Sequence, residues 1–160
     1  MMKQTPLQWA ANLALYETLN TRIEATDWFC EGWQTEFRFV DLDSPRVIFL
    51  LSKPRWCSGH IYFKTRLTNT DLIRKTVRVG LHVETSLPAD GINRVIFDRV
   101  LLDRGDELIR SWERYVIKPT HYQKPLHVSI PFTPETLVSR LFEEFTRLQS
   151  LAPIIRVVSQ

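Results

Sequence analysis

The chain has little that would staple or anchor it. Cys30 and Cys57 are the only cysteines in 160 residues, and they form no C-x-x-C pair. So thin and unpatterned a cysteine count fits a reducing compartment better than a disulfide framework. The five glycines are scattered, so there is no Walker loop and no G-x-G-x-x-G turn. A G-x-S-x-G elbow and an H-E-x-x-H helix are missing as well. No glutamate is followed two residues later by lysine, which removes the acidic-plus-lysine pattern of restriction-type nucleases. The longest run of aliphatic and aromatic residues, Val47-Ile48-Phe49-Leu50-Leu51, is far too short to cross a bilayer. The N-terminus, Met1 to Pro6, leads into a helical pattern and lacks the apolar core and cleavage site of a signal peptide. The expectation is a cytoplasmic protein without membrane association and without a cofactor.

What is present describes one domain. An apolar fraction of 44% is enough for a packed core at this length. Residues 1–160 are read as a single domain, with loose ends at 1–4 and 156–160. Thr5-Pro6-Leu7-Gln8 is a capping box with proline at the first helical position. Trp9, Leu13, Tyr16, Leu19 and Ile23 then recur at helical spacing, which predicts a helix to about Glu24. After an aromatic knot, Trp28-Phe29-Cys30-Glu31-Gly32-Trp33, Phe37 and Phe39 alternate with charged residues as in a half-buried strand. Residues 46–51 read as a central strand after a turn at 41–45. Two alternating runs follow, with Ile61, Phe63, Thr65 and Leu67 in one and Val77, Val79, Leu81 and Val83 in the other. A turn at 68–71 would join them as a hairpin, and both apolar sets must face one core, which sets the parity of the register.

Residues 92–112 predict a helix, kinked or divided at Gly105. A short strand is expected at 115–118 and a loop at 119–125. Leu126, Val128, Ile130 and Phe132 then alternate with His127, Ser129 and Pro131. The proline places that strand at an edge or a strand end. Thr133-Pro134-Glu135 predicts a last helix with Leu137, Leu141, Phe145 and Leu148 on its apolar stripe. Pro153 would end it before an extended tail. The predicted fold class is α+β: an antiparallel sheet of about five strands with helices mainly on one face, in the order α-β-β-β-β-α-(β)-β-α.

Charge is the uneven feature. Between Lys53 and His82, the bases Lys53, Arg55, Lys64, Arg66, Arg74, Lys75 and Arg78 stand against Asp71 alone. That segment carries +6, which leaves the rest of the chain at −3. The hairpin parity puts Tyr62, Lys64 and Arg66 on the face shared by Arg74, Arg78 and His82. Cross-strand neighbours there are roughly 5 Å apart, so like charges repel unless something anionic faces them. The functional expectation is a nucleic-acid or anion surface made by these residues, with Tyr62 and Trp56 for base stacking. An acidic protein partner is the alternative, and a plain solvated strand face is the bland one. Trp28, Phe29, Trp33 and Trp56 offer a docking interface on one view and cover for one end of the core on the other. A homodimer built on an edge strand or on this knot is the competing expectation.

Two further clusters carry chemistry-bearing residues. Cys57 and His60, three apart, with Cys30 or His82 would make a metal site or a Cys-His nucleophile, but a zinc site takes two tight pairs and only one is present. Asp98, Asp103, Asp106, Glu107 and Glu113 interleave with five arginines, as on a solvated helix face with local ion pairs. No metal and no catalytic residue is expected.

The segment order carries a resemblance. Gly59-His60-Ile61-Tyr62-Phe63, then Val77 to Glu84, Phe97 to Leu101 with Asp106-Glu107-Leu108-Ile109, and Leu137 to Pro153 follow one another. Together they resemble a bacterial α+β domain of unknown function. That domain is found at the C-terminus of proteins with nuclease-like or DNA-modification-associated domains. The resemblance implies a stand-alone relative in bacterial DNA defence and carries over no catalytic residue. From the residues themselves, the expected function is a non-enzymatic binding or accessory protein with the basic hairpin as its contact surface.

Overall fold

The computed structural model describes residues 4–40, 44–56, 59–84, 94–117 and 125–158. The expected turn at 41–45 and loop at 119–125 lie largely outside the described residues.

The first helix, α1 (Pro6–Glu24), begins on the predicted capping box. The Gln8 amide donates to Thr5 Oγ1 at 3.2 Å, and the Thr5 amide donates to Gln8 Oε1 at 2.7 Å. Two of the orphan donors of the first turn are thereby satisfied. Trp9, Tyr16, Leu19 and Ile23 are buried, as their spacing requires.

Six strands follow: β1 (Gln34–Val40), β2 (Arg46–Ser52), β3 (Ile61–Thr68), β4 (Thr76–Val83), β5 (Val116–Ile117) and β6 (Leu126–Pro131). They make one antiparallel sheet in the order β1-β2-β3-β4-β6-β5. The register obeys the predicted parity: Phe63 faces Leu81, Thr65 faces Val79, and Arg66 faces Arg78. Pro131 is the last residue of β6, where a missing amide costs no ladder bond.

One face of the sheet receives α1 and α4 (Leu137–Gln149). Phe49 lies at its centre, 5.3 Å from the Phe145 ring and 6.2 Å from Tyr16. Leu137, Leu141, Phe145 and Leu148 are buried on the predicted stripe. Arg22 ties the two helices, with its guanidinium 4.2 Å over the Phe142 ring and an amino group donating to Ser139 Oγ.

Four local expectations change. The residues between β3 and β4 form a short helix, α2 (Asn69–Arg74), instead of a turn. Thr68 and Asp71 make a second capping box, and Lys75 closes the helix at φ 56°. The residue types that make turns are also the ones that cap helices, and here the cap prevails. Helix α3 (Arg94–Arg110) runs through Gly105 as one element. Gly105 is buried, and a Cβ there would meet Leu151 Cδ2 at 3.5 Å, an ordinary contact, so the glycine neither breaks the helix nor is demanded by that neighbour. Thr133-Pro134 does not start α4. Residues 133–136 form a turn in which Thr136 Oγ1 accepts from the Thr133 amide at 2.8 Å, and the helix starts at Leu137. The expected extended tail is a helix, α5 (Ala152–Val158). Pro153 fits its first turn, where its missing amide has no carbonyl to meet.

The acidic face of α3 also departs in one place. Asp106 and Arg110 form the anticipated i,i+4 ion pair, but Asp98 is fully buried rather than solvated.

Candidate functional site

The face of the sheet opposite α1 and α4 carries the side chains that alternate with the core. One cross-strand row reads Glu36, Leu50, Lys64, Gly80, His127, Val116. The next reads Arg38, Ile48, Arg66, Arg78, Ser129. Tyr62 and His82 are paired one row beyond Lys64 and Gly80, and Arg46 lies beside Thr68 at the other end. Arg38, Arg66, Arg78 and Ser129 are exposed, whereas His82 and His127 are buried.

These rows enclose a groove of about 450 Å³. Arg46, Lys64, Arg66, Arg74, Arg78, His82 and His127 line it, and among the described residues Asp71 is the lone carboxylate of its lining. That carboxylate is engaged as the cap of α2, accepting from the Thr68 amide and hydroxyl, both at 2.9 Å. None of Arg46, Lys64, Arg66, Arg74 and Arg78 forms an ion pair with a described residue. Gly80 leaves the floor bare between Lys64 and His127. A Cβ there would lie 2.2 Å from the Leu126 carbonyl oxygen, so only glycine fits.

The electrostatics follow from this crowding. Half-burial holds the Lys64 ammonium below the ordinary lysine range, and the nearby Arg66 and Arg46 charges push the same way. At the β3–β4 end, Glu84 accepts from Tyr62 Oη at 2.9 Å and pairs with His60 Nδ1 at 2.8 Å. Burial alone would raise the Glu84 carboxyl, yet these two bonds bring it below its usual value. Tyr62 is pushed up by burial and by its bond to that carboxylate.

The structure sorts the residues singled out by sequence. Lys64, Arg66, Arg74, Arg78 and His82 converge on the groove. Tyr62 stands behind His82 with the rings stacked 4.9 Å apart, so one face of the phenol is already covered. Lys53, Arg55 and Lys75 do not line the groove. Lys53 sits 5.0 Å over the Trp33 ring and donates to the Glu31 carbonyl at 3.1 Å. Arg55 lines a separate open pocket beside Trp56, and Lys75 is the left-handed cap of α2. Sequence reasoning missed Arg46 and His127. Arg46 opens a strand read as wholly apolar, and His127 holds an outward position on a strand whose place beside β4 only the topology shows.

Trp33 and Trp56 belong to the core, at 6% and 3% exposure. Their rings pack edge to face at 5.2 Å, and Trp56 meets Phe63 in the same way at 5.6 Å. Neither indole is presented for docking or base stacking, which leaves only the half-buried Trp28 and Phe29 for such a role. Cys57 lies outside the described residues. Cys30 is exposed, with its thiol donating to the Asp27 carbonyl. Among the described residues no group of three His, Cys, Asp or Glu could hold a metal ion, and no helix is long and apolar enough to cross a membrane.

No family model, no curated protein and no solved structure matches this chain.

Proposed function

We propose that this domain is a non-enzymatic binding module that holds nucleic acid by its phosphates on the cationic sheet face. The observation that carries the reading is the direct pairing of Arg66 with Arg78, neither of them in an ion pair with a described residue. Two guanidinium groups on adjacent strands repel, and a phosphate between them turns that repulsion into a bidentate attraction. Lys64, Arg46 and Arg74 extend the same positive field along the groove.

The test is fluorescence anisotropy of a labelled single-stranded oligonucleotide at low salt. Binding is expected, with a salt slope of about −3 if roughly four phosphates are neutralised. Changing Lys64, Arg66 and Arg78 together to glutamate should abolish it. Absence of any anisotropy change with the wild-type protein would overturn the reading.

A second reading rests on Ile48 and Leu50, two half-buried aliphatic side chains on the same face. They favour an acidic protein segment with apolar residues of its own. Such a partner would show a shallower salt dependence, because apolar contact is not screened.

A further inference from the structure

β1 pairs with β2 along one side, and among the described residues nothing pairs with its other side. A free edge of seven residues is a template for another strand. Proteins that keep such an edge free often place charge of one sign on it, because two like edges then repel. β1 does the opposite. Glu36 and Arg38 stand two residues apart on the groove-side face, 3.7 Å from each other and more than half exposed.

From this we infer that β1 pairs antiparallel with β1 of a second copy, in the register that sets Phe37 against itself. In that register Glu36 of each copy faces Arg38 of the other, so the strand is its own charge complement. The opposite face carries Thr35, Phe37 and Phe39. Phe37 is stacked on Phe49 at 6.1 Å, and Phe39 packs 5.3 Å from Trp9. Both rings are only half-buried, so the surface that the core leaves uncovered is apolar and lies at the edge. Phe37 would meet its copy across the twofold, and Phe39 would cover Thr35 of the other chain. A foreign strand could also add to this edge, but it would have no need of a charge pattern that is its own antiparallel complement.

The twofold axis of such a pair is perpendicular to the sheet. Both cationic grooves therefore lie on one side of a continuous sheet, with the two β3 strands five inter-strand steps apart, roughly 24 Å. The dimer does not depend on nucleic-acid binding, and its test involves none.

The mass of the full chain in solution is measured by sedimentation from micromolar to millimolar concentration. Wild type, Glu36→Arg, Arg38→Glu and the double variant are compared, with circular dichroism to confirm that each is folded. The wild type should dimerise. Each single change sets like charges opposite each other twice and should weaken the dimer by roughly tenfold or more. The double variant restores opposite charges in the reversed sense and should regain wild-type association. A wild-type monomer at every concentration overturns the inference. So does a dimer that the single changes leave intact, or one that the double change fails to rescue.

Discussion

Arg66 and Arg78 are direct cross-strand partners on the groove side of the sheet, both exposed, and neither is in an ion pair with a described residue. The fold keeps this arrangement although a carboxylate at either position would relieve it.

Replacing Arg78 with glutamate should therefore stabilise the protein while weakening its anion binding. A cross-strand pair of opposite charge contributes about 0.5–1 kcal/mol relative to its repulsive counterpart at low salt. For a chain of this size that raises the melting temperature by roughly 2–3 °C. Differential scanning calorimetry at low and high ionic strength checks it. The gain should shrink at high salt, and a lowered melting temperature at low salt would contradict the electrostatic account.

The two buried glycines should respond differently to alanine. At Gly80 a Cβ would lie 2.2 Å from the Leu126 carbonyl oxygen and 2.6 Å from His127 Cα. Both are backbone atoms of β6, and moving them disturbs the β4–β6 ladder. Gly80→Ala should cost about 3 kcal/mol in urea denaturation or prevent folding. At Gly105 the nearest atom is Ile109 Cδ1 at 3.1 Å, the far end of a flexible side chain. There the gain in helix propensity, about 1 kcal/mol, should offset the crowding and leave stability nearly unchanged.

Glu84 should confer acid-sensitive stability. Hydrogen bonds from His60 and Tyr62 hold its carboxyl below the unfolded value of 4.5 in the folded chain. The contribution is therefore complete above that pH and is lost as pH falls through the lower folded value. Urea midpoints of wild type and Glu84→Gln should differ at neutral pH and converge as the pH drops below 4.5. A gap that widens towards acid would show that the carboxylate is not favoured by folding.

Much of the frame was legible because it rests on local chemistry. The Thr5-Gln8 capping box, the stripe from Trp9 to Ile23 and the four alternating strands each announce themselves within a few residues. The parity argument then placed Tyr62, Lys64, Arg66, Arg78 and His82 on one face, since a strand has only two faces. Reading failed where one signal served two structures. Thr68 to Asp71 can make a turn or a helix cap, Pro153 can end one helix or begin another, and Gly105 can break a helix or be carried within one.

The candidate site was legible in part for a related reason. Local alternation states which residues point away from the core, but not which strand lies next to which. Arg46 and His127 enter the groove because β2 and β6 flank the β3–β4 pair, and their distance along the chain hides that neighbourhood. Lys53 and Arg55 leave it because the loop that bears them packs at Trp33 and Trp56, where aromatic contacts outweigh charge.

By itself, then, the sequence determined the first helix, the alternating strands, their order along the chain and the face each strand presents, since period and capping are local properties of the chain. Tertiary structure decided which cations converge, that Gly80 must stay bare beneath them, and that Asp71 is committed to a helix cap. Those outcomes depend on strand order and backbone approach, which are set by packing of the whole core.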